Sequence, residues 1–404
     1  MKLVVWQSVL TDHQVCTLTA LQARLETPIE CVVGCEMLAE RRQQGWAVPD
    51  VAGLSLHLLP RTGWWRMVLG LLADHPDALH VFCGLWGDRR FLPAVLAARF
   101  AGRRIGLMME SFAPVAVSAF GVRSGWRDGL RARVRPLAYG AILRLLRGRL
   151  VALLAISPQA EEQYAGLGVP PGLIFPFGYF VPAQAVPRRE PSAGPLRPVF
   201  VGSLIERKGL HILDQALALC RQRGVALTAD VYGPGDWQGR PLASGGLCLR
   251  GPLPFGSAQR VIAGYDVLIL PSLYDGWGVV VNEALLQGVP VVVSDQVGAR
   301  VLTEPTGAGL AFKAGSAADL AEILMSLAAD PAHLARLRQG AQAIRQRLSP
   351  DGAAAYLQSV LRLACGEGAA EPRPLPPWCD GCERTLGVGG RRDGVGWGGT
   401  RWDG

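Results

Sequence analysis

The chain has 404 residues, 50% of them hydrophobic, and a formal net charge of +8. That is too long for one ordinary α/β domain and fits two, each able to bury a large core. No apolar run reaches the ~18 residues of a membrane span, and nine scattered cysteines speak for reduced thiols rather than a disulfide framework.

The opening "MKLVVWQSVLTDHQ" has too short an apolar run for a secretory leader, so Leu3–Trp6 reads as a first buried strand. Further strands are read at "IECVVG", "ALHVFCGLW", "RIGLMM" and "LVALLAIS", with helical segments near 14–24, 62–73, 91–100, 122–149 and 158–166. Such alternation predicts a parallel, doubly wound sheet. Residues 181–198, "VPAQAVPRREPSAGPLRP", read as a linker. The pattern then restarts with strands at "PVFVGSL", "ALTADVYG", "LCLRGPL", "DVLILPS", "VPVVVSD" and "GLAFK", and closes with helices near 316–329, 331–347 and 351–364. The expected division is a first Rossmann-like domain over 1–183, a linker over 184–197 and a second Rossmann-like domain over 198–348. A helix over 349–365 is expected to return to the first domain. Residues 366–404, dominated by Gly, Pro, Arg and Trp, are expected to be disordered. Within them "CDGC" has the spacing of half a metal site, but no second pair lies nearby, so no metal is expected.

Two doubly wound domains place ligand at the carboxyl ends of their strands, and the motifs fall there. In "PSLYDGWGVVVNEALLQGVPVVVSD", residues 271–295, a strand ends at Ser272, a turn follows, and a helix begins near Gly278. The first amides of a helix lack internal partners and carry partial positive charge. Gly278, Val279 and Val280 are therefore candidate amides for a diphosphate. Glu283, about a turn and a half into the helix, could accept hydrogen bonds from vicinal ribose hydroxyls. Asp275 lies in the preceding loop, free to face the cleft. The bland alternative is that Asp275 caps the helix and Glu283 pairs with an arginine. In "FVGSLIERKGLHILDQAL", residues 200–217, a strand runs into Gly202 and a short loop delivers Arg207 and Lys208. Lysine acts on phosphate as a point charge and arginine as a clamp. The chain has only Lys2, Lys208 and Lys313 among its lysines, so Lys208 stands out. A solvated turn, with Glu206 neutralising Arg207, is the alternative.

These two motifs together resemble the retaining glycosyltransferases of family four, which have the GT-B fold. The frame is Pro271, Ser272, Gly276, Trp277, Gly278, Glu283, Ala284, Gly288, Pro290 and Val291, behind the "KG" at Lys208 and Gly209. The resemblance covers residues 198–345 closely and the first domain loosely. It implies that Arg207 and Lys208 hold the donor diphosphate, that Glu283 binds the ribose and that amides at 278–280 meet phosphate and sugar. Asp275 stands where the family has Glu, one methylene longer, and Ser203 stands where many members have Arg. Glu110, ending "GLMMES", occupies a place where the family supplies a polar residue near the reacting sugar; a solvated loop acid is the alternative. His13, in "LTDHQ", faces the same predicted cleft, though a structural role is the commoner one for such a residue.

The expected enzyme is a retaining, metal-independent hexosyltransferase without cofactor. It would move a sugar from a nucleotide-diphosphate sugar to a glycan or lipid-linked acceptor in cell-surface or exopolysaccharide synthesis. No Asp-x-Asp metal triplet is present. Arg123, Arg127, Arg131, Arg133, Arg135, Arg144, Arg147 and Arg149 face only Asp128 over residues 122–150. This basic stretch and the tryptophans of "RTGWWRMVLGLL" make an anionic membrane surface a candidate partner. The expected location is cytoplasmic, peripheral to the inner face of the membrane. No nucleic-acid module is present, so no nucleic-acid partner is expected. The competing readings are a non-catalytic nucleotide-sugar-binding scaffold and a GT-B-type nucleotide-sugar epimerase.

Overall fold

The computed structural model describes residues 1–35, 51, 53–113, 126–187, 194–235, 237, 242, 244–367 and 372–379; for 126–132 and 304 it describes the backbone alone. Arg123 and Cys382 lie outside these residues, as do the side chains of Arg127, Asp128 and Arg131.

The first sheet is built from β1 (Leu3–Gln7), β2 (Ile29–Val33), β3 (Ser55–Leu58), β4 (Leu79–Cys83), β5 (Arg104–Glu110), β6 (Leu150–Ile156) and β7 (Ile174–Phe177). All its pairings are parallel, in the order β3-β2-β1-β4-β5-β6-β7. Its helices are α1 (Asp12–Gln22), α2 (Trp64–Asp74), α3 (Phe91–Phe100), α4 (Trp126–Leu146) and α5 (Pro158–Gly166). The central strands are continuous apolar runs because helices cover both faces. Val5, Leu79, Leu107 and Leu154 are all nearly or fully buried.

The second sheet runs β10 (Leu247–Gly251), β9 (Ala229–Tyr232), β8 (Pro198–Val201), β11 (Val267–Leu270), β12 (Val291–Ser294), β13 (Gly309–Phe312), again all parallel. Its helices are α6 (Leu210–Gln222), α7 (Ala258–Ile262), α8 (Val279–Leu286), α9 (Ala317–Ala329) and α10 (Pro331–Ile344). The strand order reverses between β8 and β11, which opens a crevice between the loops that follow those two strands. Both sequence motifs occupy those loops.

Two strands absent from the sequence reading, β3 and β7, are the edges of the first sheet. Each has only four residues. β3 is half-exposed, and β7 carries Pro176, which an edge tolerates because it needs no second ladder bond.

A final helix, α11 (Pro350–Ala364), packs against α1 of the first domain and buries Tyr356, Leu357, Val360 and Leu361. Gln358 Nε2 donates to the carbonyl of Arg24 at 3.0 Å. Part of the expected disordered tail is ordered. Over residues 372–379 the Arg373 guanidinium sits 4.7 Å from the Phe175 ring centre. Trp378, 4% exposed, stacks on Phe180 at 6.4 Å and reaches Trp277 at 5.9 Å. Two aromatic partners, one from each sheet's loops, supply the apolar burial that the composition of the tail concealed.

Candidate active site

The two motif loops are fastened to each other. Gly209 has φ 73°, and a Cβ there would run into the carbonyl of Pro271. Leu273 N–H donates to the carbonyl of Arg207 at 2.8 Å. Arg207 Nη1 donates in turn to the carbonyl of Tyr274 at 2.7 Å. Lys208 Nζ donates to Asp275 Oδ2 at 2.5 Å, while Arg207 Nη1 lies 3.9 Å from Asp275 Oδ1. Asp275 therefore does not cap α8, whose N-cap is Gly278 with no side-chain bond. Glu206 forms no ion pair among the described residues, so Arg207 is not neutralised within its own turn.

Two cations thus face one carboxylate at the crevice and leave a surplus positive charge. Gly202 sits beside them: a Cβ on it would lie 4.0 Å from Lys208 Cδ. Beside the same carboxylate, α8 begins at Gly278 (φ 94°), where a Cβ would lie 3.7 Å from Asp275 Cγ, and the amides of Val279 and Val280 belong to its unpartnered first turn. Glu283 is half-buried on this helix and has no ion-pair partner among the described residues, contrary to the bland alternative. Burial alone pushes its carboxyl up to about 7. Such a group gains from hydroxyl donors that restore what burial removed.

The first domain reaches the same loop. Glu110 ends β5, and its Oε1 accepts from Tyr179 Oη at 2.5 Å. A Cβ on Gly276 would stand only 2.6 Å from Glu110 Oε2. The ring of His13, on the first turn of α1, packs 4.3 Å from the Tyr179 ring and lies 2.9 Å from Thr11 Oγ1. The structure therefore gathers Arg207, Lys208 and Asp275 into one group, and Glu110, Tyr179 and His13 into another, with Gly276 between.

Sequence reasoning missed the residues that join the two halves. Tyr274 donates to the carbonyl of Ser111, and its hydroxyl, pushed up to about 12 by burial, stays protonated. Gln159 Nε2 donates across to the carbonyl of Asp295 at 3.0 Å, while within the first domain Ser157 Oγ donates to Ser111 Oγ at 3.4 Å. Ser157 holds φ 102°, which only glycine adopts without cost. No local pattern marks Tyr274 or Gln159, because each acts on a partner far along the chain; Ser157 is marked only as the cap of α5, where its Oγ accepts from Ala160 N–H at 3.2 Å.

The second-domain motifs, the switch-point crevice and the two parallel sheets can be compared with known proteins. The family model "Glycosyl transferases group 1" matches residues 196–330. Glycogen synthase of Mycobacterium tuberculosis is 26% identical over 369 residues, spanning 88% of this chain and 82% of that one. This chain is a glycosyltransferase of the GT-B fold, with the group 1 family model matched over residues 196–330. The amylovoran biosynthesis glycosyltransferase AmsK of Erwinia amylovora is 32% identical over 146 residues, 33% of this chain and 36% of that protein. Among solved structures, the GT-B fold is shared with Anabaena HepE in complex with UDP. The TM-score is 0.65 at 17% identity, over 90% of this chain and 100% of that one. The apo lipopolysaccharide outer core galactosyltransferase WaaB gives 0.63 at 16%, over 89% and 99%. The likenesses support a glycosyltransferase that uses a nucleotide-sugar donor, and neither the scaffold nor the epimerase alternative is favoured.

Proposed function

We propose that the glycosyltransferase transfers its sugar with retention, from a nucleotide-diphosphate sugar held by the second domain to a glycan or lipid-linked acceptor held by the first. Cell-surface or exopolysaccharide synthesis is the role it would serve, in line with the amylovoran relative. The observation that carries this reading is the cation pair Arg207 and Lys208 against Asp275 in the loop that leads into α8, the helix of Glu283, a half-buried acid with no ion-pair partner among the described residues. Arg207 and Lys208 would meet the diphosphate and stabilise it as it departs. A diphosphate competing for Lys208 frees Asp275 to turn toward the sugar. Gly202, Gly278, Val279 and Val280 let phosphate and sugar approach backbone amides, and Glu283 accepts from the ribose hydroxyls. Glu110, oriented by Tyr179, faces the acceptor hydroxyl, with His13 behind it.

A thermal-shift series with UDP, GDP and ADP, on wild type, Lys208→Ala and Glu283→Ala, tests the donor site. One nucleotide family at a hundredfold excess over Kd should raise Tm by on the order of 5 °C, and both variants should lose most of that rise. No response from folded protein to any nucleotide would sink this reading.

The location we propose is the cytoplasmic face of a membrane. The described cysteines carry free thiols, as a reducing compartment allows. Among the described residues no helix is long and apolar enough to cross a membrane. The helical layer of α2, α3 and α4 nonetheless exposes Trp65, Leu69, Phe100 and Leu137, the last two 74% and 73% accessible. Exposed Arg66, Arg133, Arg135, Arg144 and Arg147 lie among them. Apolar groups with an arginine excess suit anionic lipid. Vesicles containing phosphatidylglycerol should sediment the protein and neutral vesicles should not. Arg144→Glu with Arg147→Glu should abolish sedimentation and spare nucleotide binding; unchanged sedimentation would count against this surface.

A further inference from the structure

Between Asp275 and Val279 the chain reads Gly276, Trp277, Gly278. Backbone bonds from Gly298 and Ala299 hold this loop as far as the Trp277 carbonyl. Beyond it Gly278 turns into α8 at φ 94°, a conformation open to glycine and costly for other residues. The indole of Trp277 reaches over that turn. It is 2% exposed, and its Nε1–H donates to Asn282 Oδ1 at 2.8 Å, one residue before Glu283. Asn282 is fully buried, and its Nδ2 has no hydrogen-bond partner among the described residues. If the ring turned away, an indole N–H and a buried amide oxygen would both lose their partner.

Two close neighbours of that ring come from outside the second domain. A Cβ on Gly178, just past β7, would stand 2.3 Å from Trp277 Cζ2. Trp378 lies 5.9 Å away at an interplanar angle of 45°. The segment that carries Trp378 is itself fastened to the first domain. The Arg373 guanidinium donates to the carbonyl of Pro171 at 3.2 Å and to that of Ile174, beside the Phe175 ring. Arg373 is thus bound at the start of β7, and Trp378 stacks on Phe180 past its end. This strap touches the second domain at the loop that joins Asp275 to the helix of Glu283.

We propose that Trp378 is a positioning residue for the donor: through Trp277 and Asn282 it holds the first turn of α8, so that the amides of Gly278, Val279 and Val280 and the carboxyl of Glu283 are set before a nucleotide sugar arrives. The proposal rests on the reading of that turn as the donor site. A turn held in its bound form pays no ordering cost on binding, so losing the strap weakens nucleotide affinity.

Hydrogen exchange and nucleotide titration on the full chain test this. Wild type is compared with Trp378→Ala, Trp378→Phe, Arg373→Ala and a control, Leu361→Ala, at a temperature where the proteins are folded. Leu361 is buried on α11, so its loss destabilises the chain without touching the strap. Without nucleotide, peptides covering 274–286 should exchange about tenfold faster in Trp378→Ala than in wild type. Arg373→Ala, which frees the far end of the strap and leaves the core intact, should give about threefold and carries the test if Trp378→Ala does not fold. Trp378→Phe keeps a ring and should stay within about twofold of wild type, as should the control. Kd for UDP, GDP or ADP, whichever binds the wild type, should rise in the same proportions. Equal exchange over 274–286 in wild type and both strap variants would overturn the proposal. So would faster exchange with unchanged Kd, or equal losses in the control. Faster exchange in the strap variants alone, with no nucleotide bound by wild type, would support the strap as the holder of the loop and strike the donor reading instead.

Discussion

Glu283 shows what burying an acid does to the fold that holds it. Its carboxyl is carried from an ordinary 4.5 up to about 7 by burial. Between those values the unfolded chain releases a proton that the folded chain keeps, so stability falls as pH rises, and the full penalty stands above pH 7. Its size is roughly 2–3 kcal/mol. Glu283→Gln should therefore match the wild type near pH 4.5 and exceed it by about 2 kcal/mol at pH 8 in denaturant melts, while losing nucleotide affinity. A variant less stable than wild type at pH 8 would show that the charged form is satisfied by the protein itself. The placement of Arg207, Lys208, Asp275 and Glu283 was legible because each sits on a strand–loop–helix signal a few residues long. Tyr179 and Tyr274 were not. Their partners lie 69 and 163 residues away, at Glu110 and Ser111, and no local pattern encodes such a pairing.

At the level of elements, the two halves of the site meet at a glycine. Gly276 belongs to the β11–α8 loop, and the carboxylate of Glu110 from β5 occupies the space a side chain would need. Gly276→Ala should displace Glu110, lower kcat by about tenfold or more through misplacement, and leave nucleotide binding within twofold of wild type. Loss of nucleotide binding in that variant would mean the loop is shaped for the donor alone. The strand–helix alternation was readable wherever strands are buried on both faces, since apolar runs bounded by turn residues mark them. It failed at β3 and β7, which are short edges. There only one neighbour pairs, and Pro176 reads as a breaker.

Taken whole, the molecule is held by a chain end that crosses back. Trp378 lies between Phe180 of the first domain's exit and Trp277 of the β11–α8 loop. A Cβ on Gly178 would collide with that same Trp277 ring. Trp378→Ala should cost about 3 kcal/mol and lower Tm even with nucleotide bound; an unchanged Tm would make the contact incidental. Composition hid this segment, because a Gly- and Pro-rich stretch gives no periodicity, and one anchoring tryptophan is enough.

The return of α11 to α1 also sets an order of events during synthesis. The last strand of the first sheet ends at Phe177, and the helix that covers its face begins at Pro350. At translation rates of ~5–20 residues per second, the ribosome takes roughly ten to thirty seconds to deliver that helix. Through that interval the nascent first domain shows bare apolar surface, while the second domain, contiguous in the chain, can already close. The half made first is finished last.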